Sequence, residues 1–228
     1  MTLRRGSIQR DRRGLAWWLA VAVCKPALVV LRRPDWRGSE GLPRVGGVVL
    51  AANHVSHLDP LLVAEMVLAE GRVPRFLAKD TLFRKPVVGA WFRAAGHVEV
   101  DRAAGRAGYG EAVSAARNGR LLLVYPEGSI TKREDGLPML LKSGAVRIAL
   151  EADVPLVPVA QWGAQEILPA YSGRLRWGWR RRVSVVGGPP IPLDDLRGLE
   201  PGRAVEVGRQ RLAEALVAMV LELSAPDS

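Results

Sequence analysis

The sequence predicts an α/β fold, a largely parallel central sheet flanked by helices, with a membrane-associating helical segment at the N-terminus. Short apolar runs of strand length alternate with longer helix-length stretches from residue 48 onward. Strands separated in this way pair in parallel, because the intervening helix carries the chain back across the sheet. Three of these runs are followed at once by polar residues capable of chemistry, at 53–59, 101–102 and 125–129. Sites in α/β sheets gather at the carboxyl ends of strands.

The elements follow in chain order. Arg4, Arg5, Arg10, Arg12 and Arg13 precede an uncharged run, 14–24, that holds Trp17 and Trp18. Lys25 and Pro26 interrupt it, residues 27–31 continue it, and Arg32 and Arg33 close it. A spanning helix needs roughly 20 apolar residues, and this stretch is shorter and charged. A cleaved signal peptide would need Ala20-Val21-Ala22 as its processing site, but the apolar character continues past it. A helix lying in the interface fits best, with Trp at the headgroups and Arg on anionic lipid; the alternative is a helix packed on the protein's own core. Residues 34–43, rich in Gly, Pro and charge, read as a linker. The chain thus divides into an N-terminal segment, 1–38, and one domain, 39–228. Strands are expected at 48–52, 76–78, 98–100, 121–125, 155–160 and 183–186. Helices are expected at 58–69, between the second and third strands, and at 106–117, 144–152 and 203–223. The run 154–159 carries Pro155 and Pro158. Proline is poorly tolerated in a central strand, so this strand reads as an edge or as irregular.

With 228 residues, 48% of them hydrophobic, the chain can bury a substantial core. Its formal net charge is +10. Such a balance points to polyanions: nucleic acid, an anionic membrane or phosphorylated substrates. No zinc-finger, RNP-type or basic-zipper pattern is present. The one basic-aromatic cluster, at 176–182, suits a membrane interface equally well, so no nucleic-acid partner is expected. A single cysteine, Cys24, excludes an internal disulfide and a Cys-based zinc cluster.

The sharpest chemical feature is Asn53-His54-Val55-Ser56-His57-Leu58-Asp59, directly after a strand. Across a loop-to-helix junction, Asp59 can fold back to accept a hydrogen bond from the His54 imidazole. That fixes the tautomer and stabilises the imidazolium, as Asp does in a hydrolase triad. No serine elbow follows, so the imidazole would act on the substrate's own hydroxyl as a general base. Tyr125-Pro126-Glu127-Gly128-Ser129 follows another strand and reads either as a substrate-facing loop or as an ordinary turn. Asp101-Arg102 closes a third strand; Arg is a natural phosphate fork, and a surface ion pair is the plainer alternative. His54, His57 and Asp59, with His97 as a fourth ligand, spell a possible zinc set. Metal motifs, however, place their histidines at other spacings, and no metal is expected.

Taken in order, these blocks resemble the glycerolipid acyltransferase family typified by bacterial 1-acyl-sn-glycerol-3-phosphate acyltransferases. His54 and Asp59 match its His-four-residues-Asp motif. Gly96, Asp101 and Arg102 match a second block, and Pro126-Glu127-Gly128 with Ser129 in place of Thr matches a third. Residues 154–159 are close to its apolar Val-Pro block, and the resemblance covers about 41–163. Where the family carries Arg after the third block, this sequence has Ile130, so Lys132, Arg133 or Lys142 would have to supply that charge.

The resemblance implies an O-acyltransferase of phospholipid biosynthesis. Its donor would be a thioester, acyl-CoA or acyl-carrier protein, as a co-substrate with no further cofactor. Its acceptor would be a phosphorylated lipid, and its place the cytoplasmic face of the cell membrane, peripheral or monotopic. His54 and Asp59 would be catalytic, with no acyl-enzyme. Lys79 and Arg102 would hold the acceptor's phosphate, and Glu127, Gly128 and Ser129 would line the acceptor end. Backbone N–H groups near the His loop or a helix N-terminus would stabilise the oxyanion.

Overall fold

The computed structural model describes residues 14–100, 107–176, 178 and 180–225. Among them seven strands form one sheet: β1 (Arg32–Arg37), β2 (Val48–Ala52), β3 (Pro74–Lys79), β4 (Val98–Val100), β5 (Leu121–Val124), β6 (Leu156–Trp162) and β7 (Arg181–Gly187). Their spatial order is β1-β7-β6-β2-β5-β3-β4. Strands β6, β2, β5, β3 and β4 run parallel; β7 turns antiparallel to β6, and β1 lies parallel to β7. The expected α/β fold with a largely parallel sheet is therefore observed.

The helices are α1 (Leu15–Leu31), α2 (Asp59–Ala69), α3 (Asp80–Phe83), α4 (Pro86–Ala94), α5 (Ala107–Arg117), α6 (Gly144–Ala152), α7 (Ala164–Ile167) and α8 (Pro201–Ser224). They cover both faces. Val48, Leu50 and Ala52 of β2 pack with α1 and α2, whereas Val49 and Ala51 pack with α5, α6 and α8. Side chains alternate along a strand, so a strand covered on both faces reads as an unbroken apolar run. That is why Val-Val-Leu-Ala-Ala is legible as a strand. The single helix expected between β3 and β4 is two, α3 and α4, because Pro86 starts a new helix after Lys85.

Two local readings are corrected. The expected linker at 34–43 contains β1 and, at Ser39–Gly41, one 3₁₀ turn. Arg-Arg-Pro-Asp-Trp-Arg lacks apolar alternation, and tertiary contacts hold it in place. Asp35 accepts a hydrogen bond from Ser184 Oγ at 2.8 Å and pairs with Arg182. Arg32 is 1% exposed and pairs with Glu65 of α2. Pro34 is tolerated because β1 is an edge. The boundary at residue 38 thus falls after a strand of the sheet.

The expected strand with two prolines is observed as β6, which starts just after Pro155, contains Pro158, and lies inside the sheet between β7 and β2 rather than at an edge. Odd positions face β2: the Pro155 and Val159 carbonyls accept from Val49 and Asn53. Even positions face the other way, where the Leu156 and Pro158 carbonyls accept from Ile191 and Gly188, beyond the end of β7. Pro158 therefore lacks its N–H on the side where the ladder has already ended.

Helix α1 runs through Pro26 and has two faces. Trp17 (3% exposed) and Leu28 (4%) enter the core, and Trp91 Nε1 donates to the Ala16 carbonyl at 2.8 Å. Leu15, Trp18, Leu19, Val23, Val29 and Val30 face outward. The two tryptophans expected together at headgroup level are divided, and only Trp18 is exposed. Among the described residues no helix is long and apolar enough to cross a membrane. The five leading arginines lie outside the described residues, as do Trp177 and Trp179 of the basic-aromatic cluster.

Candidate active site

Strand β2 ends at Ala52, and the next six residues turn the chain into α2. Asp59 is the first residue of that helix and is fully buried. Its Oδ2 accepts from Val55 N at 2.6 Å and Ser56 N at 2.8 Å, and lies 2.8 Å from His54 Nδ1. An oxygen that accepts two backbone N–H groups is an acceptor only, so Nδ1 carries the proton. Nε2 is left with its lone pair, and the His54 side chain is 14% exposed. The partial positive charge at the N-terminus of α2 further favours a carboxylate there.

Three more contacts hold the imidazole. Tyr125, just after β5, stacks on the His54 ring, centroids 4.2 Å apart and planes 28° from parallel. Burial pushes the Tyr125 phenol well above its ordinary pKa, and the Asp59 charge adds to this. The ring is therefore a neutral platform. Asn53 Nδ2 donates to the Gln161 carbonyl at 3.0 Å, Gln161 N donates to Asn53 Oδ1 at 2.7 Å, and Gln161 Nε2 donates to the Asn53 carbonyl at 2.9 Å. This buried amide clamp ties the ends of β2 and β6 together beside His54.

Glu127 lies on the same loop as Tyr125. Its Oε1 accepts from His54 N at 2.9 Å and its Oε2 from Met139 N at 2.8 Å. Burial raises its pKa, and those two backbone donors partly oppose the rise. Glu127 thus pins the His54 backbone to the loop 128–143, which is also tied by Thr131 N to the His54 carbonyl (2.7 Å) and by Lys142 N to the Pro126 carbonyl (2.8 Å). Gly128 follows at φ 76°, a conformation that favours glycine. Ser129 is half-buried beside it.

The structure brings His54, Asp59, Glu127, Gly128 and Ser129 to one end of the sheet. Lys79, exposed, ends β3 at that same end, in the position just before α3. Arg102, with Asp101, lies outside the described residues. Ile130 is 4% exposed. Of the cations considered in its place, Arg133 forks onto Asp135, while Lys132 and Lys142 are exposed. The oxyanion donors expected near the His loop are already used: the His54 N–H goes to Glu127, and those of Val55 and Ser56 go to Asp59.

His97 does not join the motif. It is 4% exposed, its Nδ1 accepts from Phe76 N at 3.1 Å, and its ring stacks on Phe76 at 4.5 Å. Trp17, Trp91 and Phe92 enclose it. Burial, with Arg75 second, lowers its pKa to about 3. His57 is exposed. Among the described residues no three His, Cys, Asp or Glu side chains converge as a metal site requires. Sequence reasoning assigned no role to Tyr125 or to the Asn53–Gln161 clamp; their one signal was adjacency, Tyr125 before Pro126-Glu127-Gly128 and Asn53 before His54.

Comparison with known proteins gives a consistent result. Residues 33–162 match the family model described as Acyltransferase. A 1-acyl-sn-glycerol-3-phosphate acyltransferase of Borreliella burgdorferi is 29% identical over 125 residues, 54% of this chain and 48% of that protein. A 1-acyl-sn-glycerol-3-phosphate acyltransferase alpha of Bos taurus is 31% identical over 172 residues, 72% of this chain and 56% of that protein. The chain thus spans about half the length of the curated relatives it matches. The crystal structure of the 1-acyl-sn-glycerophosphate (LPA) acyltransferase PlsC from Thermotoga maritima superposes with a TM-score of 0.70 at 26% identity, covering 90% of this chain and 78% of that one. With a family match spanning both the His54–Asp59 motif and the Glu127 loop, this chain belongs to the acyltransferase family.

Proposed function

We propose that this protein transfers a fatty acyl group from a thioester, acyl-CoA or acyl-carrier protein, to the free hydroxyl of a 1-acyl-sn-glycerol-3-phosphate at the cytoplasmic face of the membrane. The observation that carries the reading is the imidazole of His54, oriented through Nδ1 by buried Asp59 with Nε2 free to take a proton. The names of the relatives support the acceptor class.

In this mechanism Nε2 removes the proton of the acceptor hydroxyl as its oxygen attacks the thioester carbonyl. Asp59 stabilises the imidazolium that forms. The tetrahedral intermediate then collapses, the C–S bond breaks, and the departing thiolate recovers the proton from His54. No acyl-enzyme is required, and base catalysis of this kind contributes about 10²–10⁴-fold. The neutral Tyr125 ring and the Glu127 bond keep the imidazole in place through both proton transfers. Lys79 and Arg102 would meet the acceptor's phosphate.

The test is thiol release with an acyl-CoA and, separately, an acyl-carrier-protein donor, across 1-acylglycerol-3-phosphate, glycerol-3-phosphate and a non-phosphorylated monoacylglycerol. Selective turnover of the first acceptor, lost in His54→Ala, is expected. Turnover independent of His54, or equal for the acceptor without phosphate, would overturn the reading.

A further inference from the structure

We propose that the arginines grouped where β7 and β1 begin form a phosphate site for the acyl donor, anchoring the far end of the arm that carries the thioester. The inference rests on the reading that the donor is an acyl thioester of CoA or of a carrier protein. Both hold the sulfur on a pantetheine arm that ends in a phosphate.

Six exposed arginines meet there: Arg33 near the start of β1, Arg181 and Arg182 at the start of β7, and Arg174, Arg176 and Arg180 in the segment that leads into β7. The register of β1 on β7 sets Arg33 opposite Arg182. The backbone beneath them is held. Arg176 N donates to the Ile167 carbonyl at 2.8 Å, and Arg180 Nε to the Arg32 carbonyl at 3.1 Å. A Cβ on Gly163, just past β6, would stand 2.1 Å from the Arg182 carbonyl, so the start of β7 is pressed against the end of β6.

Two acids answer this charge: Glu166 lies 3.7 Å from Arg181, and Asp35 lies 3.1 Å from Arg182. Among the described residues Arg33, Arg174, Arg176 and Arg180 have no acidic partner. Uncompensated guanidinium groups draw in anions, and their planar fork matches phosphate oxygens.

Position identifies which phosphate. Ala52 is level with Val159, and Ser184 with Trp162, so Arg182 stands about three residues further along the strand direction than His54. Strands β7 and β1 lie two and three places from β2. Strand dimensions therefore put the cluster about 15 Å from His54. In a 1-acylglycerol-3-phosphate the phosphate hangs on the carbon next to the reacting one, within about 5 Å of the hydroxyl at ordinary bond lengths. It cannot reach the arginines while the hydroxyl is at His54. The pantetheine arm is a chain of about a dozen bonds with two amides, and spans about 15 Å from sulfur to phosphate when extended. The spacing thus fits the donor and leaves Lys79 and Arg102 to the acceptor. Within 174–182 the described apolar side chain, Leu175, packs on the core. A bilayer contact would want such a group outward beside the cations.

The test uses the full chain carrying Arg33→Gln/Arg176→Gln, which spares both ion pairs. Titration calorimetry with CoA and with carrier protein bearing its free pantetheine thiol reads the site without turnover. CoA affinity should fall at least about tenfold as charge-assisted bonds to phosphate are lost. In thiol release, KM for acyl-CoA should rise by a similar factor, with kcat and the KM of the lipid acceptor unchanged. S-acyl-pantetheine, which lacks the phosphate, should serve parent and variant equally. Arg203→Gln should behave as the parent: Arg203 is exposed near the start of α8, which the chain reaches after running back along β6 away from the site. Loss on both CoA and carrier protein would assign the site to the phosphate they share, and loss on CoA alone to its nucleotide phosphates; either supports the proposal. Unchanged CoA affinity, an equal loss on S-acyl-pantetheine, or a loss confined to the carrier protein would overturn it. So would weaker sedimentation with phosphatidylglycerol vesicles as the sole change, which would make the cluster a lipid contact. A parent that binds CoA through these arginines yet acylates no lipid would refute the proposed function separately.

Discussion

Replacing Asp59 by asparagine separates catalysis from folding. Oδ2 of Asp59 accepts three hydrogen bonds, two from backbone N–H groups and one from His54 Nδ1. An asparagine carbonyl can keep the two backbone donors, so the turn into α2 survives. Exchanging charge-assisted for neutral bonds roughly halves their strength, a loss on the order of 1–2 kcal/mol of stability. The imidazolium loses its counter-charge, although the carbonyl that keeps the backbone donors also still accepts from His54 Nδ1 and so holds the tautomer. Asp59→Asn should therefore fold, melt a few degrees lower, and lose much of the about 10²–10⁴-fold that base catalysis contributes to kcat. Asp59→Ala leaves the Val55 and Ser56 N–H groups buried without partners, at about 1–3 kcal/mol each. It should be the less stable of the two while being no less inactive. Thermal unfolding and thiol release on the same preparations give both numbers. An Asp59→Asn protein within tenfold of parental kcat would refute the orienting role; so would activity that follows stability across the two variants.

His54→Ala should abolish most turnover with little change in melting temperature, whereas His57→Ala, at an exposed position, should stay within a few-fold of the parent; equal losses in the two would return attention to a metal. Trp17→Ala should cost about 3–5 kcal/mol in denaturant unfolding, as a buried aromatic. Trp18→Ser should leave stability within about 0.5 kcal/mol and weaken vesicle binding instead, and the reverse pattern would mean that α1 is turned the other way. His97, at about 3 when folded against 6.5 unfolded, stays neutral where the unfolded chain takes up a proton. Stability is therefore lost as pH falls below about 6.5, by about 2 kcal/mol between pH 7 and pH 5. His97→Gln retains an acceptor for Phe76 N and should flatten that slope; an unaltered slope would assign the acid sensitivity to another group.

The sequence by itself determined the strands buried on both faces, β2 and β5, and the order of helices between them, because their signal is local: an apolar run and its punctuation. It also placed His54 and Asp59, since a five-residue spacing across a strand-to-helix turn needs no distant partner to close. Tertiary structure decided the rest. Strand β1 exists because β7 and Glu65 hold a charged, proline-bearing segment that has no strand pattern of its own. Pro158 sits in an interior strand because its neighbour ends one residue short of needing its N–H, a fact of register. The two tryptophans of α1 part company because helical geometry sets adjacent residues about 100° apart and the core covers only one side. Tyr125, Asn53 and Gln161 converge on His54 because three strands end side by side, and contacts between β2, β5 and β6 span 108 residues between Asn53 and Gln161. Such contacts leave no periodicity in a chain; they arise only when the sheet assembles and buried amides and rings must find partners.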